Sequence, residues 1–132
     1  MNVVFDTNVL LSATLWSGSV SQKILRLCIQ HDVCIFSSEE ILAEYQRVVQ
    51  RDFGYTAKES EMIVETVRSF VFIVVPQYRL HVIMEDPDDN KILESAVESS
   101  SKYILTYDKH LLRLGSYDGI TILTPELFRH RF

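Results

Sequence analysis

Four acidic residues stand where a carboxylate could do chemistry. Asp6 follows the apolar run Val3-Val4-Phe5, and Asp108 comes shortly after Tyr103-Ile104-Leu105. Asp89 ends the acidic run Asp86-Pro87-Asp88-Asp89, and Glu44 lies in the segment after Val33–Phe36. Open α/β folds place their ligands outside the carboxyl ends of the strands, so an acid directly after a buried strand is the first candidate for a site. Asp6 leads that set. Two like charges about 4 Å apart repel by about 4 kcal/mol at an effective dielectric near 20. A small domain, stable by only about 5–15 kcal/mol, cannot absorb several such repulsions without a bound cation, a basic partner or shared protons. The candidate donors are all oxygens, with no His or Cys at metal-ligand spacing, which favours Mg²⁺ or Mn²⁺ over Zn²⁺.

Each acid also has an ordinary reading. Asp86 can cap a helix whose first residue is Pro87, with Asp88 and Asp89 complementing the helix dipole. Asp108 can cap a short helix beginning at Lys109, and Asp6 and Asn8 can end a strand in side-chain turns. Glu44 falls about 40° from Val48 at about 100° per residue, on the edge of an apolar arc. There it is half turned to the core, or paired with Arg47 or Arg51. Convergence, more than any single residue, separates the two readings.

The elements that must position these acids alternate from end to end. Val3–Phe5, Val33–Phe36, Phe72–Val75, Tyr103–Leu105 and Ile120–Leu123 read as short strands. Ser19 with Gln22, Ser37 with Glu40 and Thr56 with Glu59 have capping-box spacing, each ahead of apolar residues at helical intervals. A further helix runs through Ile92, Leu93, Ala96 and Val97, and Thr124-Pro125 opens a last short one. Strands alternating with helices indicate a parallel sheet covered on both faces, a three-layer α/β/α sandwich. The two helices between the second and third strands form a helical arm.

The 132 residues fit a single domain, 1–132, with 47% apolar and 23% charged residues, the balance of a soluble globular chain. No apolar run approaches the roughly 18 residues of a membrane span, and no secretory leader is expected at the N-terminus. Cys28 and Cys34, both in apolar surroundings, read as reduced core cysteines of a cytoplasmic protein. A net charge of −5 argues against a protein that coats nucleic acid generally. It leaves room for a nuclease, because bound cations reverse the local field of an acidic site.

The blocks Phe5-Asp6-Thr7-Asn8-Val9-Leu10, Ser38-Glu39-Glu40-Ile41-Leu42-Ala43-Glu44-Tyr45, Asp86-Pro87-Asp88-Asp89-Asn90-Lys91-Ile92-Leu93 and Leu105-Thr106-Tyr107-Asp108-Lys109-His110-Leu111-Leu112 occur in that order. Together they resemble a PIN domain, a metal-dependent ribonuclease fold, and in particular the bacterial and archaeal members described as toxins of toxin–antitoxin modules. The resemblance spans essentially the whole chain and implies a parallel sheet of about five strands in the order 3-2-1-4-5. It also implies that Asp6, Glu44, Asp89 and Asp108 hold Mg²⁺ or Mn²⁺, with Asp86, Asn8 and Thr106 in support. Asp89 is preferred to Asp88 because Ile92 and Ala96 follow at +3 and +7, on a packed helical face.

The activity so implied is hydrolysis of phosphodiester bonds in single-stranded RNA, leaving a 5′-phosphate and a 3′-hydroxyl. A cognate antitoxin and a homodimer are the partners it suggests. Lys91, Lys109, His110 and Arg113 are candidates to meet phosphates, each as readily an ordinary solvated charge. Trp16 and Tyr107 could stack on a base, although core packing is the favoured reading for both. The rivals are a Mg²⁺-dependent phosphatase or phosphotransfer domain and a PIN-like module that binds RNA or protein without cutting. The phosphatase usually needs a second Asp two residues after the first, where this chain has Asn8.

Overall fold

The computed structural model describes residues 1–132. Its sheet has six strands: β1 (Asn2–Phe5), β2 (Cys34–Ser37), β3 (Phe72–Ile73), β4 (Tyr103–Leu105), β5 (Ser116–Tyr117) and β6 (Ile120–Leu123). Their spatial order is β3-β2-β1-β4-β6-β5. All neighbours pair in parallel except β5, which runs antiparallel to β6. Successive residues of a strand face opposite sides, yet Val3, Val4 and Phe5 are all fully buried. Both faces of β1 are therefore covered, as a three-layer sandwich requires.

The covering layers come from α1 (Thr7–Leu15), α2 (Val20–Gln30), α3 (Glu39–Phe53), α4 (Ala57–Arg68), α5 (Asn90–Glu98), α6 (Lys109–Leu114) and α7 (Pro125–Phe128). α5 packs over β1, β2 and β4, while α1 touches both α2 and α3. α3 and α4 pack on each other as the expected arm. Gly54 closes α3 at φ 69°, a left-handed position suited to glycine. Thr56 and Glu59 then open α4 with a complete reciprocal capping box.

The sheet order differs from 3-2-1-4-5 by one added strand. Asp118 and Gly119 take φ of 50° and 80° between β5 and β6, the backbone a two-residue hairpin turn needs. The hairpin appends β5 outside Ile120–Leu123, the strand expected at that edge. A second addition is α1, which the alternating pattern omits. Thr7, Val9, Leu10, Leu11 and Ala13 are all buried, so the helix has almost no polar face to produce a period. β3 stops at Ile73, two residues short of its expected end.

Two of the three expected capping boxes are also altered. Ser38, not Ser37, caps α3 by accepting from Ile41 N. Ser19 accepts from Gln22 N, but the Gln22 side chain accepts from Gly18 N, one residue before the cap. Pro87 opens a 3₁₀ turn, Pro87–Asp89, that leads into α5, and Asp86 makes no side-chain capping bond.

Candidate metal centre

Parallel β1 and β4 bring their carboxyl ends together, with Phe5 opposite Leu105. The ladder continues one step further, as Asp6 N donates to Leu105 O at 2.9 Å. Asp6 is thus buried at the carboxyl end of a central strand with both carboxylate oxygens engaged. Its Oδ1 accepts from Thr7 N at 2.7 Å, and its Oδ2 accepts from the Thr106 hydroxyl at 2.6 Å. Thr106 Oγ1 in turn accepts from Asp108 N at 2.9 Å, so one buried hydroxyl ties the two strand-end acids together. Asn8 completes the clamp: its Oδ1 accepts from Tyr107 N at 3.2 Å, and its amide nitrogen reaches Asp6 Oδ2 at 3.5 Å.

Burial pushes Asp6 from an ordinary 3.8 up to about 6. The Thr106 and Thr7 hydrogen bonds oppose that shift, while the charges of Glu44 and Asp108 reinforce it. Asp89 rises further, to about 8, first through burial, then through the adjoining Asp108 carboxyl and the charges of Asp6 and Asp86. Carboxyls held this close favour proton retention because no lysine or arginine of the chain lies among them to offset their repulsion.

One donor atom each from Asp86, Asp89, Asp108 and His110 lies within 4.8 Å of the others. Asp108 Oδ1 accepts from His110 N at 2.8 Å and from Leu111 N at 3.1 Å, capping α6 as its ordinary reading requires. The same bonds draw residue 110 toward the acids. His110 Nδ1 stands 3.8 Å from Asp108 Oδ1 and 4.0 Å from Asp89 Oδ2. Nδ1 and Asp89 Oδ2 are both buried and without a hydrogen-bond partner. Orphaned polar atoms beside mutually repelling carboxyls fit a divalent cation well.

Glu44 is placed differently. Its Oε2 accepts from Lys91 Nζ at 2.8 Å, and Lys91, only 8% exposed, also bonds Asp88 O at 3.1 Å. Burial alone would lower the Lys91 pKa, but Glu44 and Asp88 outweigh it and hold the ammonium above its usual range. Asp88 leans to this lysine, with Oδ2 at 3.5 Å and its side chain 73% exposed. Asp88 and Asp89, adjacent in sequence, thus face different partners. Close by, Arg79 bonds both Glu40 and Glu94, and Glu94 also accepts from Leu80 N at 2.8 Å.

Several expectations change here. Lys91 is locked in an ion pair and is not free for phosphate. The partner of Glu44 is Lys91, from α5, in place of Arg47 or Arg51. Trp16 and Tyr107 are exposed instead of packed in the core; Trp16 meets Phe53 edge-on at 5.7 Å. Asp86, expected in support, lies among the clustered donors, and the Asp6 oxygens are held by Thr7 and Thr106. His110 enters a donor set expected to be all oxygen. Its signal in the sequence was Asp108-Lys109-His110 at a helix start, where capping folds the third residue back over the first.

A family model described as PIN domain matches residues 2–110. An uncharacterized protein of Methanocaldococcus jannaschii is 30% identical over 117 residues, covering 86% of this chain and 75% of that protein. Among solved structures, a chain of VapBC2 from Rickettsia felis, bound to a DNA fragment from their promoter, superposes with a TM-score of 0.70 at 17% identity, covering 92% of this chain and 97% of that one. A chain of VapBC-1 from nontypeable Haemophilus influenzae gives 0.67 at 14% identity, covering 96% and 99%. At these identities the structural likeness establishes the fold.

Proposed function

This chain belongs to the PIN domain family, and from that premise we propose that it is a Mg²⁺- or Mn²⁺-dependent endoribonuclease cutting single-stranded RNA as the toxin of a toxin–antitoxin pair. The observation that carries this reading is the group of carboxyls at the carboxyl ends of β1 and β4 that lacks any lysine or arginine of its own. Asp89, Asp108 and Asp86 would hold the ion. Asp6 would complete the negative field behind them, with Glu44 at the rim. When bound, the ion supplies Lewis acidity toward a phosphoryl oxygen and makes a water nucleophile available at neutral pH.

The chain's own residues supply position. Thr106 fixes Asp6 and Asp108 relative to each other, and Asn8 fixes the two strand ends. Supporting contacts of this kind set the orientation of ligands. Asn8 is committed to that clamp and cannot serve as the second acid of a phosphatase. Exposed Lys109 and Arg113 on α6 are placed to meet phosphates beside the cluster. The antitoxin partner rests on the likeness to VapBC chains and on family membership.

Cleavage of single-stranded RNA in Mg²⁺, Mn²⁺ or EDTA, by wild type and Asp6→Asn, tests the proposal. Either ion should support cleavage in the wild type, while EDTA or the substitution should remove it. Cleavage that persists through both would overturn the metal-nuclease reading. A matched duplex cut at the same rate would overturn the single-strand preference.

A further inference from the structure

We propose that His110 is a nitrogen ligand of the divalent ion in this centre and that it tilts the site toward Mn²⁺ over Mg²⁺. The inference rests on the metal-dependent reading above, but its test measures ion binding without RNA. The separations of Nδ1 from Asp108 Oδ1 and Asp89 Oδ2, 3.8 and 4.0 Å, are too long for hydrogen bonds. The separation from Asp89 Oδ2 suits two donors on one ion: ligands about 2.0–2.2 Å from a cation stand at most about 4.4 Å apart. A single ion would thereby satisfy both buried atoms that lack partners, Nδ1 and Asp89 Oδ2.

The position of the ring is enforced by the backbone. Thr106 Oγ1 holds Asp108 N, and Asp108 Oδ1 holds His110 N. The backbone of residue 110 is therefore anchored to the acids by two successive hydrogen bonds, which keep the origin of the imidazole side chain beside them. The other three histidines stand elsewhere. His31 packs on Phe132, His81 lines a neighbouring cleft with Arg79 and Glu94, and His130 belongs to the C-terminal 3₁₀ turn. Imidazole is a softer donor than carboxylate, and Mg²⁺ is a hard ion that selects oxygen. A nitrogen in the donor set therefore strengthens binding of Mn²⁺ more than of Mg²⁺.

The test is electron paramagnetic resonance on the full chain with Mn²⁺. Pulsed spectra of the wild type should show an imidazole-type ¹⁴N coupling, retained in His81→Gln and absent in His110→Gln. Titration of the free Mn²⁺ signal should show affinity falling at least about 10-fold in His110→Gln, since losing even a group that only supports a ligand costs about 10- to 100-fold. Mg²⁺ affinity, read by displacement of Mn²⁺, should fall much less. A wild type that binds no Mn²⁺, or binds it without ¹⁴N coupling, overturns the assignment and needs no variant to interpret. A coupling that survives His110→Gln, or equal losses for both ions, overturns it too. A protein that shows the coupling yet cuts no RNA keeps the ligand assignment and rejects the ribonuclease reading.

Discussion

Two groups of acids meet opposite fates in this fold. Glu44, Glu40 and Glu94 each meet a cation of the chain itself, Lys91 or Arg79. Asp86, Asp89 and Asp108 converge with no such cation, and the carboxyls of Asp6 and Asp89 are driven toward protonation. The difference teaches where the fold has completed its own electrostatics and where completion must come from outside. Paired acids hold elements together: Glu44 with Lys91 joins α3 to α5. The unpaired ones form a demand that a divalent ion can meet.

The sharpest way to break this contrast uses the two neighbours that belong to different groups. Asp89→Asn should reduce cleavage by at least about 100-fold, beyond the usual range for groups that only support a metal ligand. Asp88→Asn, which touches only the paired group, should leave cleavage near wild type. The reverse order in a cleavage assay would abolish the distinction.

A smaller effect concerns pH. Folding raises the Asp6 pKa from 3.8 to about 6, so the folded form holds this proton more tightly than the unfolded one. That stabilisation is complete below the unfolded value and is lost as pH rises through about 6. A shift of about 2 units corresponds to at most about 3 kcal/mol. Asp89 acts in the same direction and extends the loss toward about 8. In EDTA the melting temperature should therefore fall between weakly acid and weakly alkaline pH. Saturating Mn²⁺, which binds the ionised carboxylates, should flatten that slope. A melting temperature in EDTA that rises with pH would show that the unpaired acids carry no such repulsion.

The paired group offers the smallest of the three effects. Lys91→Met leaves Glu44 without its cation, and fully buried pairs lose about 3–5 kcal/mol in this way. Glu44 keeps 24% exposure, so a loss of about 2 kcal/mol is expected by urea denaturation, with much of it recovered in Lys91→Met/Glu44→Leu. A double variant no more stable than the single one would show that the pair does not act as a unit.

The strands of the inner sheet were legible because burial on both faces leaves unbroken apolar runs such as Val3-Val4-Phe5. The helices that were legible have one wet face, as α4 does after its capping box. α1 lacks that face, and its all-round apolar surface carries no period. The Asp118-Gly119 pair was a readable hairpin signal, and β5 follows from it. At the site, Asp6 and Asp108 could be located from the strands they follow. The division of labour between Asp88 and Asp89 depends on a 3₁₀ turn that rotates neighbours apart. The partner of Glu44 lies 47 positions away on another helix, a contact that only the tertiary fold creates.

The bond from Thr106 to Asp6 spans 100 positions of sequence, and that distance sets a clock. A chain emerging from the ribosome presents Asp6 first, and its hydroxyl partner and the Asp108–His110 cap follow only about 100 residues later. Contacts this remote form late because the intervening loop must close first. The centre is therefore unassembled while the residues between its two halves are being made, and the finished cluster exists only once both halves are present.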